Sequence, residues 1–347
     1  MEISQHTIQI HETISHALEK LNQLEEKLTL FVLNDEKQVI GTVTDGDIRR
    51  GLLNHLILED SVAGCMNTTF KFLREGEMNQ AKISGYKSKG IKLVPLLDSN
   101  DKILQIINLE FQIGLLPICG VIMAGGEGIR LRPLTENTPK PLLKIGEKPI
   151  IDYGVDQMIK YGIHDITISV NYLADQIMNH LQDGSSKEAT IKYIIEEKKL
   201  GTIGSVSLSD GFTEDCVLVM NADLLTNINI EEFYNDFISS GASMSVACIP
   251  YKVNIPYAIL DIDDKYIKSL KEKPTYTYYS NAGIYLIKKD ALTHIPHNEH
   301  FNATDLIEHI IKIGQKVSYF PILGYWLDIG NMNDFHKAQE DIKYIKI

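Results

Sequence analysis

A glycine-rich loop that follows a short apolar run is the first part of this sequence whose residue types could do chemistry. The loop contains Gly125, Gly126 and Gly128, and the run before it, Ile118 to Ala124, is predicted to be a buried strand. Glycines let backbone N–H groups approach a polyphosphate closely, because no side chain stands between them. The spacing matches neither a dinucleotide-binding fingerprint nor a P-loop. Since tight turns also use glycines, a purely structural turn is an alternative for the loop alone.

Two cations, Arg130 and Lys140, stand close to this loop in the sequence. The whole chain of 347 residues has 34 Lys and Arg against 46 Asp and Glu, which gives a net charge of −12. This acidic balance disfavours a nucleic-acid binder, because a phosphate backbone needs clustered basic residues. An acidic protein that handles phosphates must concentrate its few cations locally, and Arg130 and Lys140 are predicted to serve that purpose.

An aspartate follows a second apolar run in a similar way. Asp223 comes three residues after the run Cys216 to Met220, which is predicted to be another buried strand. A carboxylate at the carboxyl end of a strand suits Mg²⁺, a hard cation that takes oxygen ligands and bridges phosphates. The alternative is that Asp223 only caps the next helix.

Strands and helices alternate through the region that must position these residues. Besides the two strands above, strands are predicted over Ile166 to Val170 and Ile191 to Ile195, and helices near Ile150 to Tyr161 and Leu173 to Leu181. This alternation predicts an α/β fold with a Rossmann-like, mostly parallel sheet and helices on both faces. Ligands of such folds bind at the carboxyl ends of the strands, so the loops after Ala124, Ile195 and Met220 form the predicted site.

The glycine loop belongs to a longer motif. Residues 125–135 are G-G-E-G-I-R-L-R-P-L-T, and Pro139-Lys140-Pro141 follows them. This string resembles the signature of the sugar-1-phosphate nucleotidyltransferase family, G-G-x-G-T-R-L-x-P-L-T with P-K-P, and the resemblance extends from about Cys119 to the C-terminus. It implies a GT-A-like fold in which Ala124 and the three glycines bind the nucleotide, with Arg130 and Lys140 in catalysis. Ile129 departs from the pattern, since the family usually has Thr there and a hydroxyl near the triphosphate is lost.

Three further segments resemble motifs of the same family. Residues 196–202, E-E-K-K-L-G-T, resemble its E-x-x-x-L-G-T, whose main chain, here at Gly201, borders the base and the sugar. Residues 221–223, N-A-D, resemble its N-G-D or N-A-D element, and residues 326–330, W-L-D-I-G, resemble its W-x-D-I/V-G ending. The family implies that Asp223, which also touches the nucleotide, shares a metal with Asp328. Alone, residues 196–202 would be only a charged strand end with a glycine turn.

Two segments resemble the motifs with which the family binds the sugar 1-phosphate. Glu272-Lys273-Pro274 resembles its E-K-P, in which the lysine binds the phosphate of the sugar and here takes part in catalysis. Residues 281–285, N-A-G-I-Y, are similar to its N-A-G-I-Y, with Asn281 and Gly283 near the sugar. An exposed lysine is normally only solvated, so Lys273 outside this context would carry no meaning. Asp305 is predicted to start a helix and only to border the site.

The part of the chain before residues 115–119 has a different pattern, a weak internal repeat. Residues 30–41 and 94–104, which start 64 positions apart, each form an apolar strand, a polar turn and a second apolar strand. Two such copies suggest a pair of small α/β units. This part resembles a tandem cystathionine-β-synthase (CBS) domain pair. The predicted organisation is therefore a CBS pair over 1–115, regulatory or oligomer-forming, and a catalytic domain over 118–347.

The first CBS copy carries a nucleotide-binding pattern that the second lacks. In the CBS family a Thr or Ser followed three residues later by Asp holds the phosphate and ribose of an adenine nucleotide, and Thr44 and Asp47 match it. The aligned positions of the second copy are Asn108 and Phe111. The alternative is that Thr44 and Asp47 only cap the helix that begins near Ile48.

Together the motifs predict Mg²⁺-assisted transfer of a nucleotidyl group from a nucleoside triphosphate to a sugar 1-phosphate. A CBS pair before such a domain resembles the guanylyltransferases of bacterial surface-sugar pathways, such as legionaminic acid synthesis, which implies GTP and glucosamine 1-phosphate. Mannose-1-phosphate guanylyltransferase and glucose-1-phosphate thymidylyl- or uridylyltransferase stay open. A nucleotide sensor without catalysis is the alternative from another class. We expect no nucleic-acid or membrane partner, and a homo-oligomer.

The composition also bears on the compartment. The longest apolar runs are strand-sized, far below the roughly 20 residues that span a bilayer. The first residues have no basic start followed by an apolar run, so no signal peptide is expected. Four scattered cysteines without a C-x-x-C pair are predicted to be buried, reduced thiols. Reduced thiols are typical of the cytoplasm, which is the expected location.

Overall fold

The computed structural model describes residues 3–24, 29–74, 80–109 and 114–345. It divides into two compact units, Met1–Leu115 and Leu116–Ile347, each with its own cores. Phe111, named above for the second CBS copy, lies outside the described residues. No helix in the described part of the chain is both long and apolar enough to cross a membrane.

The N-terminal unit repeats one order of elements, strand, helix, strand, strand. Its elements are β1 (Thr7–Gln9), α1 (Ile14–Gln23), β2 (Thr29–Leu33), β3 (Val39–Thr44), α2 (Asp45–Leu53), β4 (Leu73–Arg74), α3 (Gln80–Lys87), β5 (Leu93–Leu97) and β6 (Ile103–Asn108). In the first half β2 pairs parallel with β1 and antiparallel with β3. In the second half β5 pairs parallel with β4 and antiparallel with β6. The two halves therefore share one topology.

Each half of this unit buries one face of its elements. Helix α1 shows the pattern, because Ile14, Ala17 and Leu21 recur at helical spacing and are buried against strands β2 and β3. Thr13 starts the helix, since its side chain accepts a hydrogen bond from the N–H of His16 at 3.2 Å.

The C-terminal unit contains the remaining strands and helices. Its strands are β7 (Cys119–Ala124), β8 (Lys144–Ile145), β9 (Lys148–Pro149), β10 (Asp165–Val170), β11 (Thr190–Ile195), β12 (Cys216–Asn221), β13 (Leu224–Thr226), β14 (Met244–Asn254), β15 (Ile259–Asp263), β16 (Tyr266–Lys271), β17 (Thr275–Lys288), β18 (Val317–Pro321) and β19 (Trp326–Asp328). Its helices are α4 (Ile150–Lys160), α5 (Ala174–Leu181), α6 (Ile230–Ser240), α7 (Lys289–Leu292), α8 (Ala303–Lys312) and α9 (Met332–Asp341).

The largest sheet of the described residues has the strand order β11-β10-β7-β12-β17-β14-β18. Strands β11, β10, β7 and β12 pair in parallel, and β14 pairs in parallel with β18. Only β17 runs against its neighbours, because it pairs antiparallel with both β12 and β14. The predicted mostly parallel sheet is confirmed.

Helices cover both faces of this sheet. On one face Gly120 of β7 lies against α4, so close that an added Cβ would stand 2.5 Å from the sulfur of Met158. On the other face Val121 packs in a core with Leu306 and Ile310 of α8. Since successive residues of a strand point to opposite faces, Gly120 and Val121 report the two sides. The predicted α/β layering is therefore confirmed.

The cysteines have the predicted character with one difference. Cys119, Cys216 and Cys248 are buried free thiols, whereas Cys65 is half-buried. Burial raises the pKa of the Cys216 and Cys248 thiols, which keeps them protonated.

Candidate active site

A cleft of about 700 Å³ opens where strands β7 and β12 end. It lies at the carboxyl edge of the sheet, where ligands of parallel α/β folds bind. The residues predicted for nucleotide binding or catalysis that line it are Ala124, Gly125, Gly126, Gly128, Arg130, Lys140, Gly201 and Asp223. Ile129, the departure from the family pattern, also lines the cleft and is 57% exposed.

Two of the three loop glycines are required, Gly125 by a close neighbour and Gly128 by its backbone conformation. A Cβ on Gly125 would lie 2.9 Å from Oε1 of Glu196. Gly128 has a φ of 63°, in the left-handed region, and its carbonyl accepts a hydrogen bond from Oγ1 of Thr135 at 2.8 Å. No atom stands within 4 Å of the Cβ position of Gly126, so this part of the loop leaves open space. The backbone of the loop is thus accessible from the cleft.

Two carboxylates and a lysine meet at the border of the cleft, where Lys140 and Asp223 line the cleft and Asp328 lines the cavity that adjoins it. Lys140 Nζ lies 2.5 Å from Asp223 Oδ2 and 3.9 Å from Asp328 Oδ1, and Lys140 is only 8% exposed. Burial, and then the charge of Asp223, raise the pKa of Asp328 to about 6. A second cation is near, since Arg130 nitrogens lie 3.5 and 3.7 Å from the Cβ position of Gly330.

The tertiary structure brings these two aspartates together although they are 105 positions apart. Strand β13, which directly follows Asp223, pairs antiparallel with β19, so that Leu224 opposes Asp328. The N–H of Ile329 donates to the carbonyl of Asp223 at 3.0 Å. Each of these backbone contacts holds one carboxylate next to the other.

This pair of carboxylates fits a divalent metal ion. Oδ1 of Asp223 and Oδ1 of Asp328 are both buried without a hydrogen-bond partner, and such orphaned oxygens suit a cation. Among the described residues, no group of three or more His, Cys, Asp or Glu could hold a metal by itself. Mg²⁺ is usually held by one or two carboxylates, with substrate phosphates and water completing its shell, and this site matches that pattern.

A second cavity of about 280 Å³ adjoins the cleft and shares Thr202 and Asn221 with it. Asn281 and Gly283, predicted near the sugar, line this cavity together with Asp328. Gly283 has a φ of 72°, and a Cβ there would lie 2.6 Å from Nδ2 of Asn221.

Asn281 shapes the floor of the second cavity. Its Oδ1 accepts from the N–H of Gly283, and its Nδ2 donates to the hydroxyl of Tyr285, both at 2.9 Å. Trp326 lines the same cavity, and its Nε1 donates to the carbonyl of Ala282 at 2.9 Å. The cavity is thus bordered by amides, hydroxyls, one indole and the carboxylate of Asp328.

Glu272 and Lys273 are not part of either cavity. Both are exposed, in the connection between β16 and β17, and Lys273 has a φ of 41°. Their assignment to the sugar phosphate stays a prediction. Asp305 also lies outside both cavities and caps α8, where its Oδ2 accepts from the N–H of Asn302 at 2.8 Å.

Two side chains of the cleft were not singled out from the sequence. Glu196 is 7% exposed, lines the cleft, and accepts hydrogen bonds from Oγ of Ser169 at 2.5 Å and from the N–H of Leu200 at 3.2 Å. Glu127 forms an ion pair of 2.5 Å with Lys199, which joins two walls of the cleft. Glu196 is the first residue of the E-x-x-x-L-G-T motif, and this position is the sequence feature from which its role in the cleft could have been predicted.

In the N-terminal unit, Thr44 and Asp47 form a reciprocal cap at the start of α2. The Thr44 N–H donates to Asp47 Oδ2 at 2.9 Å, and the Asp47 N–H donates to Thr44 Oγ1 at 3.3 Å. Asp47 Oδ1 also pairs with Arg50 at 2.5 Å. Both residues line a cavity of about 590 Å³ that also contains Lys71, so capping and ligand binding are compatible. Asn108, at the aligned position of the second half, is buried.

Comparison with known proteins agrees with this geometry. The nucleotidyl transferase family model matches residues 119–344, and the chain belongs to that family. The CBS domain model matches residues 3–54. The resemblance to sugar-1-phosphate nucleotidyltransferases with an N-terminal CBS region is thereby confirmed.

Relatives with assigned activities are distant. A mannose-1-phosphate guanyltransferase of Debaryomyces hansenii is 27% identical over 62% of this chain and 62% of its own. A mannose-1-phosphate guanylyltransferase of Mycobacterium tuberculosis is 26% identical over 64% of each. The bifunctional protein GlmU of Methanocaldococcus jannaschii is 30% identical over 63% of this chain and 53% of its own. The chain thus spans less than two thirds of the length of these relatives.

Two solved structures have a similar fold. The structure of a Bacillus anthracis protein described as a glucose-1-phosphate thymidylyltransferase, in complex with sucrose, has a TM-score of 0.54 at 23% identity. The match covers 66% of this chain and 97% of the Bacillus anthracis chain. HddC from Yersinia pseudotuberculosis, in a complex with GMP-PN, has a TM-score of 0.50 at 26% identity, over 65% of this chain and 99% of its own.

Proposed function

We propose that this chain transfers a nucleotidyl group from a nucleoside triphosphate to a sugar 1-phosphate and releases pyrophosphate. The observation that carries the proposal is that the cleft with the open glycine loop, Lys140 and Asp223 adjoins the cavity lined by Asp328, so that the two carboxylates meet at Lys140 between them. A second cavity of sugar size adjoins it. Family membership supports the same reaction class.

In the proposed reaction an oxygen of the sugar phosphate attacks the α-phosphorus in line, and pyrophosphate leaves. The nucleophile is already an anion, so no general base is needed. The obstacle is that two polyanions must come together, and catalysis therefore rests on positioning and charge neutralisation. The N–H groups of the glycine loop and the side chains of Arg130 and Lys140 hold the triphosphate. The family's E-K-P motif assigns the incoming phosphate to Lys273, which lies outside both cavities in this structure and would have to approach the phosphate.

Asp223 and Asp328 are the residues that would hold Mg²⁺. When bound, the ion supplies positive charge to the α-phosphate and to the attacking oxygen. Lys140 Nζ lies 2.5 Å from Asp223 Oδ2, so its ammonium group can stay paired with the carboxylates or contact the phosphates of the substrate. We expect Asp223→Asn to lower turnover about 100-fold or more. Asp210→Asn, an exposed carboxylate outside both cavities, is the control and should leave the rate unchanged.

Glu196 favours GTP as the nucleotide. Its carboxylate lines the cleft beside Gly125, and each of its oxygens can accept a further hydrogen bond. Guanine presents two adjacent donors, N1–H and N2–H₂, that match two acceptors. Uracil and thymine present one N–H between two carbonyls, and adenine sets an acceptor beside its donor. The relatives named guanyltransferases and the GMP-PN complex of HddC support the same base.

The proposed acceptor is glucosamine 1-phosphate, the sugar implied by the resemblance to surface-sugar guanylyltransferases. Mannose 1-phosphate is the second candidate, and the names of the two guanyltransferase relatives favour it. Glucose 1-phosphate with dTTP or UTP is a third. A sensor without catalysis is disfavoured, because the carboxylate pair and both cleft cations are present together.

A panel assay tests the reaction. The protein is incubated with Mg²⁺, each of GTP, UTP, dTTP, CTP and ATP, and the 1-phosphates of glucosamine, mannose, glucose and N-acetylglucosamine, while pyrophosphate release is followed. Strong release with one pair, GTP and glucosamine 1-phosphate first, is the expected result. The assay is repeated with AMP or ATP added as a ligand for the N-terminal unit. If no pair releases pyrophosphate under either condition, the proposed activity is refuted.

We also propose that the cavity of the N-terminal unit binds an adenine nucleotide. Thr44 and Asp47 stand at its wall, with Arg50 and Lys71 as cations for a phosphate. To reach the ribose, Asp47 must release the ion pair with Arg50, and the freed guanidinium is then available to the phosphate.

A further inference from the structure

An ion pair connects the glycine loop with residues 196–202 across the cleft. Nζ of Lys199 lies 2.5 Å from Oε1 of Glu127, and both residues line the cleft. Glu127 comes from the loop after β7 and Lys199 from the loop after β11, so the fold brings the two side chains together. The reaction proposed above assigns a role to neither of them.

Glu127 stands at a position that is unfavourable for a carboxylate. It lies between Gly126 and Gly128, in the loop whose N–H groups are proposed to hold the triphosphate. The hydrogen bond from Lys199, and then its charge, hold the pKa of the Glu127 carboxyl below its ordinary value, so the group is ionised at neutral pH. An ionised carboxylate in this loop repels a phosphate, because like charges then come close together. Glu127 therefore needs a cation beside it, or must move, when a triphosphate binds.

The backbone of Lys199 is held in place, whereas its side chain is exposed. The next residue, Leu200, is 1% exposed, and its N–H donates to Oε2 of Glu196 at 3.2 Å. The side chain of Lys199 is 68% exposed. An exposed ion pair costs little to break, and a lysine has a flexible stem with three donors at its end. The ammonium group can therefore exchange the carboxylate for a phosphate bound at the same loop.

The charges of the cleft leave a triphosphate short of cations. Apart from His300, the charged residues described in its lining are three acids and three bases: Glu127, Glu196 and Asp223, and Arg130, Lys140 and Lys199. Lys140 is paired with Asp223 at 2.5 Å. Ile129, in the glycine loop itself, has no polar side-chain atom to offer. A triphosphate adds several negative charges to this balanced set, so a third cation at the loop would strengthen its binding.

Arg132 can stabilise the Glu127 carboxylate after Lys199 has left it. The charge of Arg132 also lowers the pKa of Glu127, which means that the guanidinium is near this carboxyl group. Arg132 is exposed and lies outside the lining of the cleft. Arginine pairs well with carboxylates, so a Glu127 side chain that turns toward Arg132 keeps a partner and takes its charge out of the cleft.

We propose that Lys199 is a further triphosphate-binding residue, which is paired with Glu127 until the phosphates of the nucleotide displace that carboxylate. The phosphates and Glu127 compete for one ammonium group. A ligand gains the contact only if its negative charge outweighs that of a carboxylate, so the pair favours a triphosphate over weaker anions. This inference rests on the function proposed above, because it assigns a further contact to the same nucleotide.

A double-mutant cycle on the full-length protein tests the contact. The variants are Glu127→Gln, Lys199→Gln and the two combined, and calorimetric titration with GTP and Mg²⁺ gives each Kd without turnover. Glu127→Gln frees the ammonium group and should lower the Kd about 2- to 5-fold, since an exposed ion pair no longer has to be broken. Lys199→Gln should raise the Kd roughly 10-fold or more, as for a lost hydrogen bond between charged groups.

The decisive comparison is between Glu127→Gln and the double variant, because both lack the carboxylate. The Kd for GTP should be roughly 10-fold higher in the double variant, which has also lost the ammonium group. Equal values would overturn the proposal, since Lys199 would then only neutralise Glu127. Weaker binding of GTP by Glu127→Gln than by the wild type would also overturn it, because the pair would then support the shape of the cleft.

Guanosine and Lys198→Gln are the controls. Lys198 is exposed beside Lys199 but lies outside the cleft, so Lys198→Gln should bind GTP like the wild type. Guanosine has no phosphates, and its Kd should be the same in every variant. A change for guanosine as large as that for GTP would assign the pair to the nucleoside and contradict the phosphate contact. A wild type that binds no GTP would refute guanylyl transfer itself and this contact with it, whereas the other failures leave the proposed reaction intact.

Discussion

At the scale of single residues, the site contains a cluster of three charged side chains, those of Asp223, Asp328 and Lys140. Asp223 and Asp328 would repel each other, and Lys140 offsets part of that repulsion from 2.5 and 3.9 Å. Burial, and after it the charge of Asp223, raise the pKa of Asp328 to about 6, so the nearby cations do not fully compensate the buried carboxylate. The ionised carboxylates therefore lower the stability of the folded protein when no metal ion or substrate is bound. Such a loss of stability at a functional site is common.

Asp328→Asn tests that strain through its pH dependence. Because the folded-state pKa of about 6 exceeds the ordinary 3.8, the carboxylate costs stability as pH rises from 3.8 through 6. Without metal, Asp328→Asn should melt higher than the wild type at pH 8 and equally at pH 4, by a small margin since the side chain is 45% exposed. A variant that melts lower at pH 8, or a difference independent of pH, would contradict the assigned cause.

Glu196→Gln tests the guanine assignment. An amide offers one acceptor and one donor in place of two acceptors, so one of the two guanine donors loses its partner. We expect kcat/KM for GTP to fall roughly 10- to 100-fold, as for a lost hydrogen bond to a charged group, while UTP is used better. The control is Glu197→Gln, the exposed neighbour that lies outside the cleft. An unchanged preference among the triphosphates would remove Glu196 from base recognition.

At the scale of elements, two hydrogen bonds tie the loop at Gly201 to the start of α8. The N–H of Phe301 donates to the carbonyl of Leu200 at 2.9 Å, and the N–H of Ala303 donates to Oγ1 of Thr202 at 2.9 Å. Thr202 lies at the border of both cavities. Helix α8 thus positions a loop that separates the two proposed substrates.

Gly201→Ala should break this tie. Gly201 has a φ of 80°, and a Cβ there would lie 2.6 Å from the carbonyl oxygen of Phe301, which cannot move without disturbing α8. Gly314→Ala is the matched control, because its φ is 79° but its Cβ would meet open space. Overpacking should cost Gly201→Ala about 1–3 kcal/mol more than the control in urea unfolding, and raise KM for the nucleotide. Equal costs for the two variants would disprove the clash.

At the scale of the whole molecule, the two compact units bury separate cores. The described cores of residues 1–115 and 116–347 share no member. Each unit also has a cavity of its own, about 590 and 700 Å³ in volume. This division suggests that ligands act on stability unit by unit.

Calorimetry tests that division. We expect two unfolding transitions, of which Mg²⁺ with GTP raises one and AMP or ATP raises the other. Thr44→Ala, which removes a helix cap worth about 1 kcal/mol, should lower only the transition that adenine nucleotides raise. A single transition that every ligand and the variant shift alike would show that the units unfold together.

Much of the molecule followed from local sequence alone. Apolar runs bounded by glycine predicted the strands of the parallel sheet and the site at their carboxyl ends, because periodicity and turn residues act over a few neighbouring positions. The first half of the N-terminal unit carried enough local pattern to identify a CBS region, and the glycine loop with Pro139-Lys140-Pro141 identified the family. The carboxylate pair and its role were expected only by resemblance.

Only the tertiary structure decided which of these residues meet. Asp223 and Asp328 lie next to each other because β13 pairs with β19, and no local pattern encodes a pairing over 105 positions. The buried carboxylate of Glu196 likewise depends on Ser169 from a neighbouring strand. Lys273 also belongs to a motif of the family, but it lies exposed between β16 and β17, outside both cavities. Residue type and spacing determine what chemistry is available, whereas long-range strand pairing determines which groups are close enough to perform it.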